Sequence, residues 1–285
     1  MNSSIWITGA NGQLGIELQK KLARRRGVFA TDAELDICDA AAVERFIQAN
    51  GINYIINCAA YTNVEAAEDN AEICFRVNEL GVKTLAEAAL KAGAALVQIS
   101  TDYVFDGKKR TPYTEGDSPA PLSVYGASKL AGERAVQQSG CRGVIIRTAW
   151  LYSPFGKNFM KTMATLGATR EELRVVSDQT GSPTAADSLA AAIVKILPQI
   201  GDRRGEIFNF SGDGPCSWSD FAAAIMHCAG NKCRVIDIKS DEYPQKAARP
   251  AYSYLSKAHI KQEFGIEAEP WQSALERNMR RYKRL

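Results

Sequence analysis

The chain has 285 residues, of which 46% are hydrophobic and 24% are charged, and its formal net charge is +3 at pH 7. This balance is that of an ordinary globular protein, and so small a charge excludes the strongly basic surface that binds nucleic acids or acidic membranes. No apolar run approaches the ~20 residues of a membrane helix, and no basic segment with an apolar core opens the chain. We therefore predict a cytoplasmic protein that binds neither nucleic acid nor membrane.

The first 150 residues alternate short apolar runs with helix-like segments. The predicted strands are Ser4–Thr8, Val28–Thr31, Tyr54–Ala59, Ala94–Ser100 and Gly143–Thr148, and the predicted helices are Gln13–Arg26, Ala40–Asn50, Ala71–Ala92 and Ser123–Ser139. Short apolar runs are typical of strands that are buried on both faces of a parallel sheet, and such βαβ units wind right-handed. The pattern predicts an α/β fold with a doubly wound, Rossmann-type parallel sheet.

The alternation of strands and helices becomes less regular after Trp150, where segments rich in Pro and Gly separate shorter elements. The predicted elements there are Lys157–Arg170, Arg174–Val176, Ala185–Leu197, Ile207–Phe210, Ser217–Cys228 and Arg234–Ile238, with a basic final helix near the end of the chain. We predict that residues 151–285 form a smaller α/β portion that binds the substrate, and that parts of it pack back onto the sheet.

Glycines follow the first predicted strand directly, in the segment GANGQLG. Their spacing is G-x-x-G-x-x-G, between a strand and a helix. Glycine allows a tight turn and a close approach of backbone N–H groups to a pyrophosphate, and the helix amino terminus adds favourable partial charge. We therefore predict that residues 1–150 form a dinucleotide-binding domain, and that its phosphate loop comprises Gly9, Asn11, Gly12, Gln13, Leu14 and Gly15.

Asp32 follows the second strand, 17 residues after Gly15. An acid in this place can bind a ribose 2′-hydroxyl, and its charge disfavours a 2′-phosphate. Asp32 therefore favours NADH, but Arg24, Arg25 and Arg26 lie close in sequence and could offset this effect. The sequence leaves NADPH and NADH open.

Three residues predict proton transfer at the carboxyl edge of the sheet. Thr101 ends a strand, and Tyr125 and Lys129 lie four residues apart in a helix, so that they point the same way. A phenol has a pKa of ~10, and a shift of ~3 units needs ~4 kcal/mol of differential stabilisation. We expect the Lys129 ammonium and the positive charge of an oxidised nicotinamide to supply this stabilisation. The lowered pKa would make Tyr125 acidic enough to be the proton donor. The chain has only two histidines, so no other proton donor for this role is evident.

The combination of these motifs resembles the extended short-chain dehydrogenase/reductases, and more closely the dTDP-4-dehydrorhamnose reductase family. The resemblance covers most of the chain through the segments GANGQLG, LDICD, NCAAYTNVEAAE, STDYVFDG, VYGASKLAGE, RTAWLY, NFM, VVSDQTGSPT and ARPAYSYLS. It implies a nicotinamide-dependent reduction of the 4-keto group of dTDP-4-dehydro-L-rhamnose, a step in dTDP-rhamnose biosynthesis for cell-surface polysaccharide.

The resemblance also implies roles for individual residues. It makes Thr101, Tyr125 and Lys129 the catalytic set, with Tyr125 and Lys129 also contacting the cofactor. It places Asp36 and Ile37 beside the adenine and Ala59, Ala60 and Tyr61 along the cofactor. It assigns Tyr103 and Trp150 to the sugar, and Asn158, Phe159, Asp178, Gln179 and Arg249 to nucleotide-sugar recognition.

This chain departs from the family pattern in one motif, and it leaves a metal site of some relatives in question. The family usually has Val-Asp-x-Ala-Glu where this chain has Val64-Glu-Ala-Ala-Glu68. Some relatives form dimers bridged by magnesium, and Glu17 could match one of the acidic ligands. Because the other ligands cannot be placed, and because no cysteine and histidine spacing suits a metal, we predict none. A homodimer is left open.

Three alternatives share the fold. A nucleotide-sugar dehydratase typically has a Thr-Asp-Glu acidic pair, whereas this chain has Thr101-Asp102-Tyr103. An epimerase would retain its cofactor and let the keto sugar rotate, which the sequence does not reveal. The regulatory subunit of methionine adenosyltransferase is similar to this family but is a binding partner, and keto-sugar-dependent NAD(P)H oxidation distinguishes it.

Overall fold

The computed structural model of the chain describes residues 3–285, so the first two residues of the predicted dinucleotide-binding domain lie outside the described part. The strands are β1 (Ser4–Thr8), β2 (Val28–Ala30), β3 (Ile52–Asn57), β4 (Ala95–Thr101), β5 (Arg142–Thr148), β6 (Leu151–Tyr152), β7 (Glu172–Val176), β8 (Thr180–Gly181), β9 (Thr184–Ala185), β10 (Arg204–Asn209), β11 (Cys216–Ser217) and β12 (Arg234–Ile238). The α-helices are α1 (Gln13–Leu22), α2 (Ala40–Asn50), α3 (Val64–Ala67), α4 (Ala71–Phe75), α5 (Gly81–Ala92), α6 (Val124–Ser139), α7 (Phe159–Gly167), α8 (Ala186–Ile196), α9 (Trp218–Ala229), α10 (Ala258–Phe264) and α11 (Trp271–Tyr282).

A six-stranded parallel sheet forms the centre of the molecule. Its strand order is β10-β5-β4-β3-β1-β2, and every neighbouring pair is parallel. The direction of winding reverses between β1 and β3, and open parallel sheets bind their ligands beyond the carboxyl ends of the strands at such a reversal. The predicted α/β class with a doubly wound sheet is confirmed.

Helices cover both faces of this sheet. Ile5 and Ile7 of β1 belong to the core shared with α1 and α8, whereas Trp6 lies in the opposite core with α2, α5 and α6. Successive side chains of a strand point to opposite faces, so burial on both sides demands a continuous apolar run. This explains why the strands of the first half lack an alternating pattern.

Residues after Trp150 contribute to the central sheet as well as to a smaller portion. The segment β10 pairs with β5 and forms one edge of the sheet, and α8 packs against α1. The helices α7, α9 and α11 surround a separate apolar core. The assignment of dinucleotide binding to residues 1–150 and of substrate binding to residues 151–285 therefore stays a prediction. No helix within residues 3–285 has the length and apolar content needed to cross a bilayer.

The prediction of one continuous helix over Ala71–Ala92 is wrong in its middle, where residues Arg76–Leu80 form a π-helical turn between α4 and α5. The turn directs the buried side chain of Asn78 at the backbone of Tyr61: Oδ1 accepts the Tyr61 N–H at 2.9 Å, and Nδ2 donates to the Tyr61 carbonyl at 3.0 Å. Turns of this kind recur at functional sites. Here the turn fixes the loop that follows β3.

Candidate active site

A cavity of about 920 Å³ opens at the carboxyl edge of the sheet, and residues that follow β1, β2, β3, β4 and β5 line it. This volume lies in the range of small-molecule sites. The cavity brings together most of the predicted site residues: Gly9, Gly12, Gln13, Leu14, Gly15, Asp32, Asp36, Ile37, Ala59, Ala60, Thr101, Tyr103, Tyr125, Lys129, Trp150, Asn158, Phe159 and Arg249.

Four predicted site residues, Asn11, Tyr61, Asp178 and Gln179, are not among the residues that line this cavity. The Asn11 N–H donates to Asp32 Oδ2 at 2.7 Å, so that Asp32 also holds the glycine loop. Asp178 and Gln179 hold Ser240 instead: the Ser240 hydroxyl donates to Asp178 at 2.6 Å, and Gln179 Nε2 donates to the Ser240 hydroxyl at 3.0 Å. Their contacts organise a loop of the smaller portion.

The glycine loop has the geometry that a phosphate site needs. Gly9 has φ 59°, and a side chain there would put its Cβ 2.6 Å from the backbone nitrogen of Ala59 after β3. Helix α1 begins after Gly12, and no side chain caps its amino terminus. Its first N–H groups therefore lack a side-chain acceptor and lie at the cavity, where an anion can bind them.

Helix α6 presents Tyr125 and Lys129 to the same cavity. The hydroxyl of Ser123, just before the helix, accepts the Gly126 N–H at 3.1 Å and fixes its first turn. The ring of Tyr103 meets the ring of Tyr125 edge-on, with 5.5 Å between centroids. Tyr125 and Lys129 lie one turn apart, as predicted.

The protonation of this pair differs from the expectation. Burial raises the pKa of Tyr125, while the neighbouring Thr101 hydroxyl lowers it in part. Lys129 is not among the groups that shift the pKa of this phenol, and its ammonium donates to the carbonyl oxygen of Ile99 at 2.6 Å. Burial lowers the pKa of Lys129 to about 8, against an opposing effect of Glu133. Tyr125 is therefore a neutral phenol at pH 7, which retains the proton that a donor needs.

Several residues of the site were not predicted from the sequence. Asp102 lies buried between Thr101 and Tyr103 at the cavity, and burial raises its pKa to about 6. Trp218, at the start of α9, also lines the cavity and stacks on Trp150. The signal for Asp102 was its place directly after a strand-end threonine. The contact of Trp218 had no local signal, because its partner lies 68 residues away.

Glu17, which the sequence left open as a metal ligand, forms an ion pair within the chain. Its carboxylate is 2% exposed and accepts two hydrogen bonds from Arg281 Nη2, at 2.8 and 2.9 Å. Within residues 3–285, no group of three or more His, Cys, Asp or Glu side chains is placed to hold a metal ion.

The low pKa of Lys129 predicts that activity falls with rising pH. Below pH 8 the buried amine is protonated, and above it the cavity loses this positive charge. We expect kcat/KM to fall about tenfold per pH unit above the pKa. Stability should not fall in this window: because the unfolded lysine titrates near 10.5, the unfolded state binds more protons between pH 8 and 10.5, so this group's contribution to stability rises.

The measurement is a pH–rate profile with a parallel unfolding series. Lys129→Arg, which keeps its charge at every accessible pH, should lose the alkaline limb. An alkaline limb that stays in Lys129→Arg, or that tracks unfolding, would assign it to another group.

A doubly wound parallel sheet, a glycine loop at its reversal and a tyrosine–lysine pair one helical turn apart define the class of the extended short-chain dehydrogenase/reductases. The chain matches the family model of the RmlD substrate binding domain over residues 3–284. A dTDP-4-dehydrorhamnose reductase of Aggregatibacter actinomycetemcomitans is 42% identical, and the match covers 97% of this chain and 98% of that protein.

Two solved structures support the same assignment. A dTDP-4-dehydrorhamnose reductase from Clostridium acetobutylicum superimposes with a TM-score of 0.94 at 41% identity, covering 98% of this chain and 99% of that one. A dTDP-4-dehydrorhamnose reductase from Bacillus anthracis, in complex with NADP, gives a TM-score of 0.95 at 38% identity and covers 99% of this chain and 100% of that one. The chain belongs to the dTDP-4-dehydrorhamnose reductase family of oxidoreductases, and the predicted family is confirmed.

Proposed function

We propose that this protein reduces the 4-keto group of dTDP-4-dehydro-L-rhamnose to give dTDP-L-rhamnose, with NADPH or NADH as hydride donor and Tyr125 as proton donor. The observation that carries the proposal is the shared cavity: the glycine loop after β1 and the Thr101, Tyr125 and Lys129 side chains line one space of about 920 Å³. Relatives at about 40% identity are named dTDP-4-dehydrorhamnose reductases, and the structure of one of them was solved in complex with NADP.

The residues of the amino-terminal part fit a dinucleotide. The uncapped amino terminus of α1 and the backbone of Gly9–Gly15 would hold its pyrophosphate. Asp32 would face the adenosine ribose, and Asp36 and Ile37 would lie beside the adenine, while Ala59 and Ala60 would line the path toward the nicotinamide. A nicotinamide bound there would supply the hydride that the carbonyl carbon needs. Asn11 and Tyr61 support this path indirectly, through Asp32 and Asn78.

The chain's own residues would complete the reduction at the carbonyl oxygen. The neutral phenol of Tyr125 donates its proton to that oxygen as the hydride adds to the carbon, so a ketone becomes an alcohol and the phenol becomes a phenolate. The Thr101 hydroxyl, which lowers the pKa of Tyr125 in part, would donate a hydrogen bond to the same oxygen. Cationic Lys129 favours the phenolate that forms. Solvent would then return the proton.

The other wall of the cavity fits the nucleotide sugar. Tyr103, Trp150 and Phe159 offer aromatic surface, and Arg249 offers a cation for the diphosphate, at present paired with Glu65 at 2.7 Å. Asn158 Nδ2 donates to Gln13 Oε1 at 2.9 Å and so joins this wall to the glycine loop. We assign Asp178 and Gln179 an indirect role, through the loop at Ser240.

The direct test is a reduction assay with purified protein, dTDP-4-dehydro-L-rhamnose and each dinucleotide in turn. We expect loss of absorbance from NADPH or NADH that requires the keto sugar, with dTDP-L-rhamnose as product. Tight dinucleotide binding without turnover would favour the regulatory role, and a cofactor retained through purification with an epimerised product would favour an epimerase. The cytoplasmic location and the homodimer stay predictions.

A further inference from the structure

Trp150 holds an unusual backbone conformation at the end of β5. Its φ is 48°, and it is the one non-glycine residue of the described chain, residues 3–285, with positive φ. A bulky side chain in the left-handed region carries a cost in free energy and persists only where surrounding structure enforces it. The neighbours of Trp150 should therefore include groups that hold it there.

Two residues far apart in sequence clamp the Trp150 indole. Trp218 stacks on it with 3.6 Å between ring centroids and 9° between planes. On Gly181, a Cβ would lie 2.6 to 2.8 Å from Cε2, Cζ2 and Nε1 of the same indole, so that the ring fills the space a side chain would need. The glycine is present because the indole lies against it.

The clamp belongs to the sugar side of the cavity. Trp150 follows β5, whereas the phosphate loop follows β1, and these strands are separated by β4 and β3 in the sheet. At about 4.8 Å between neighbours, the two strands lie roughly 14 Å apart. Trp150, Trp218 and Phe159 all line the cavity, and the Phe159 ring packs against Trp218 with 4.7 Å between centroids.

We propose that Trp218 is a positioning residue, which, with Gly181, holds Trp150 so that its indole forms the binding surface for the apolar face of the deoxysugar. The inference rests on the proposed function and adds Trp218 and Gly181 to the residues that set sugar specificity. Removing the Trp218 stack, or placing a side chain at residue 181, displaces the indole, and the sugar then loses one aromatic wall. The dinucleotide, held by the opposite end of the cavity, keeps its contacts.

The test uses Trp218→Leu, which removes the stack, and Gly181→Ala, which pushes a methyl group against the indole. The φ of Gly181 is not positive, so alanine there acts by contact rather than by backbone strain. Trp218→Phe should keep part of the stacking contact with Trp150, so the sugar KM should rise less than in Trp218→Leu. Trp271→Phe is the matched control, because Trp271 lies in the same apolar core as Trp218 but is not among the residues that line the cavity.

We expect the stacked indole pair to give a far-ultraviolet circular dichroism couplet that Gly181→Ala abolishes and that the control keeps, while Trp218→Leu loses it because one indole is removed. The KM for the keto sugar should rise about three- to tenfold in both variants, the range expected for one lost aromatic contact. The KM for the dinucleotide should stay unchanged. An unaltered couplet and sugar KM would overturn the inference, as would an equal rise of both KM values. Absence of turnover in the wild type would refute the proposed function instead. The spectra alone would then test whether Trp218 and Gly181 position the Trp150 indole.

Discussion

Replacing Tyr125 by phenylalanine should leave dinucleotide binding unchanged and lower kcat by about 100-fold or more, the scale of a positioned general acid. The variant removes one oxygen from a buried ring. Burial keeps this phenol neutral, so in the proposed reaction it would be the proton source, whereas phenylalanine has no proton to donate. The measurement is kcat for keto-sugar reduction, beside the dinucleotide Kd from fluorescence titration.

The matched control for this variant is Tyr152→Phe. Tyr152 is fully buried in the smaller portion and is not among the residues that line the cavity, and within residues 3–285 its hydroxyl has no hydrogen-bond partner. Its removal should therefore leave kcat unchanged and should not destabilise the fold. A Tyr125→Phe enzyme with near-normal kcat would exclude the phenol as the proton donor.

Replacing Glu133 by alanine should lower the free energy of unfolding by ~3–5 kcal/mol, because it leaves a buried charge without a partner. Glu133 and Arg147 are each 1% exposed and form a bidentate pair, with Nε–Oε1 at 2.8 Å and Nη2–Oε2 at 2.6 Å. Ser100 also donates to Glu133, at 2.5 Å. For a chain of this size the loss corresponds to a fall in Tm of about 6–15 °C.

A surface pair serves as control for Glu133. Lys83 and Glu87 lie 3.9 Å apart on α5, and each side chain is more than half exposed. Glu87→Ala should change the free energy of unfolding by less than ~0.5 kcal/mol. Denaturant unfolding measures both variants. Equal effects of the two substitutions would mean that burial does not govern the strength of the Glu133–Arg147 pair.

The central sheet and the glycine turn after β1 were predictable because their signals are local. An apolar run predicts a buried strand, and glycines between a strand and a helix predict a turn that approaches a phosphate. Gly9 fits that prediction, with its positive φ and its close approach to Ala59. The strand β10 was predicted as an element, but its pairing with β5 was not, since no residue in it specifies a partner.

The remaining features depend on contacts between distant segments. The π-helical turn at Asn78 accompanies the hydrogen bonds between Asn78 and Tyr61, and nothing in the local sequence pattern separates it from an ordinary helix. The conformation of Trp150 depends on Gly181 and Trp218. The pKa of Tyr125 depends on burial, which the tyrosine–lysine spacing alone does not indicate.

The central claim is that a dinucleotide bound by the glycine loop meets the neutral phenol of Tyr125 in one cavity. A crystal structure of the protein with NADP⁺ tests it most directly. We predict that the pyrophosphate lies on the amino terminus of α1 and that the nicotinamide lies beside the Tyr125 hydroxyl, with open space for a carbonyl between them. A nicotinamide that lies away from Tyr125, or a ring separated from the hydroxyl by protein atoms, would contradict the account.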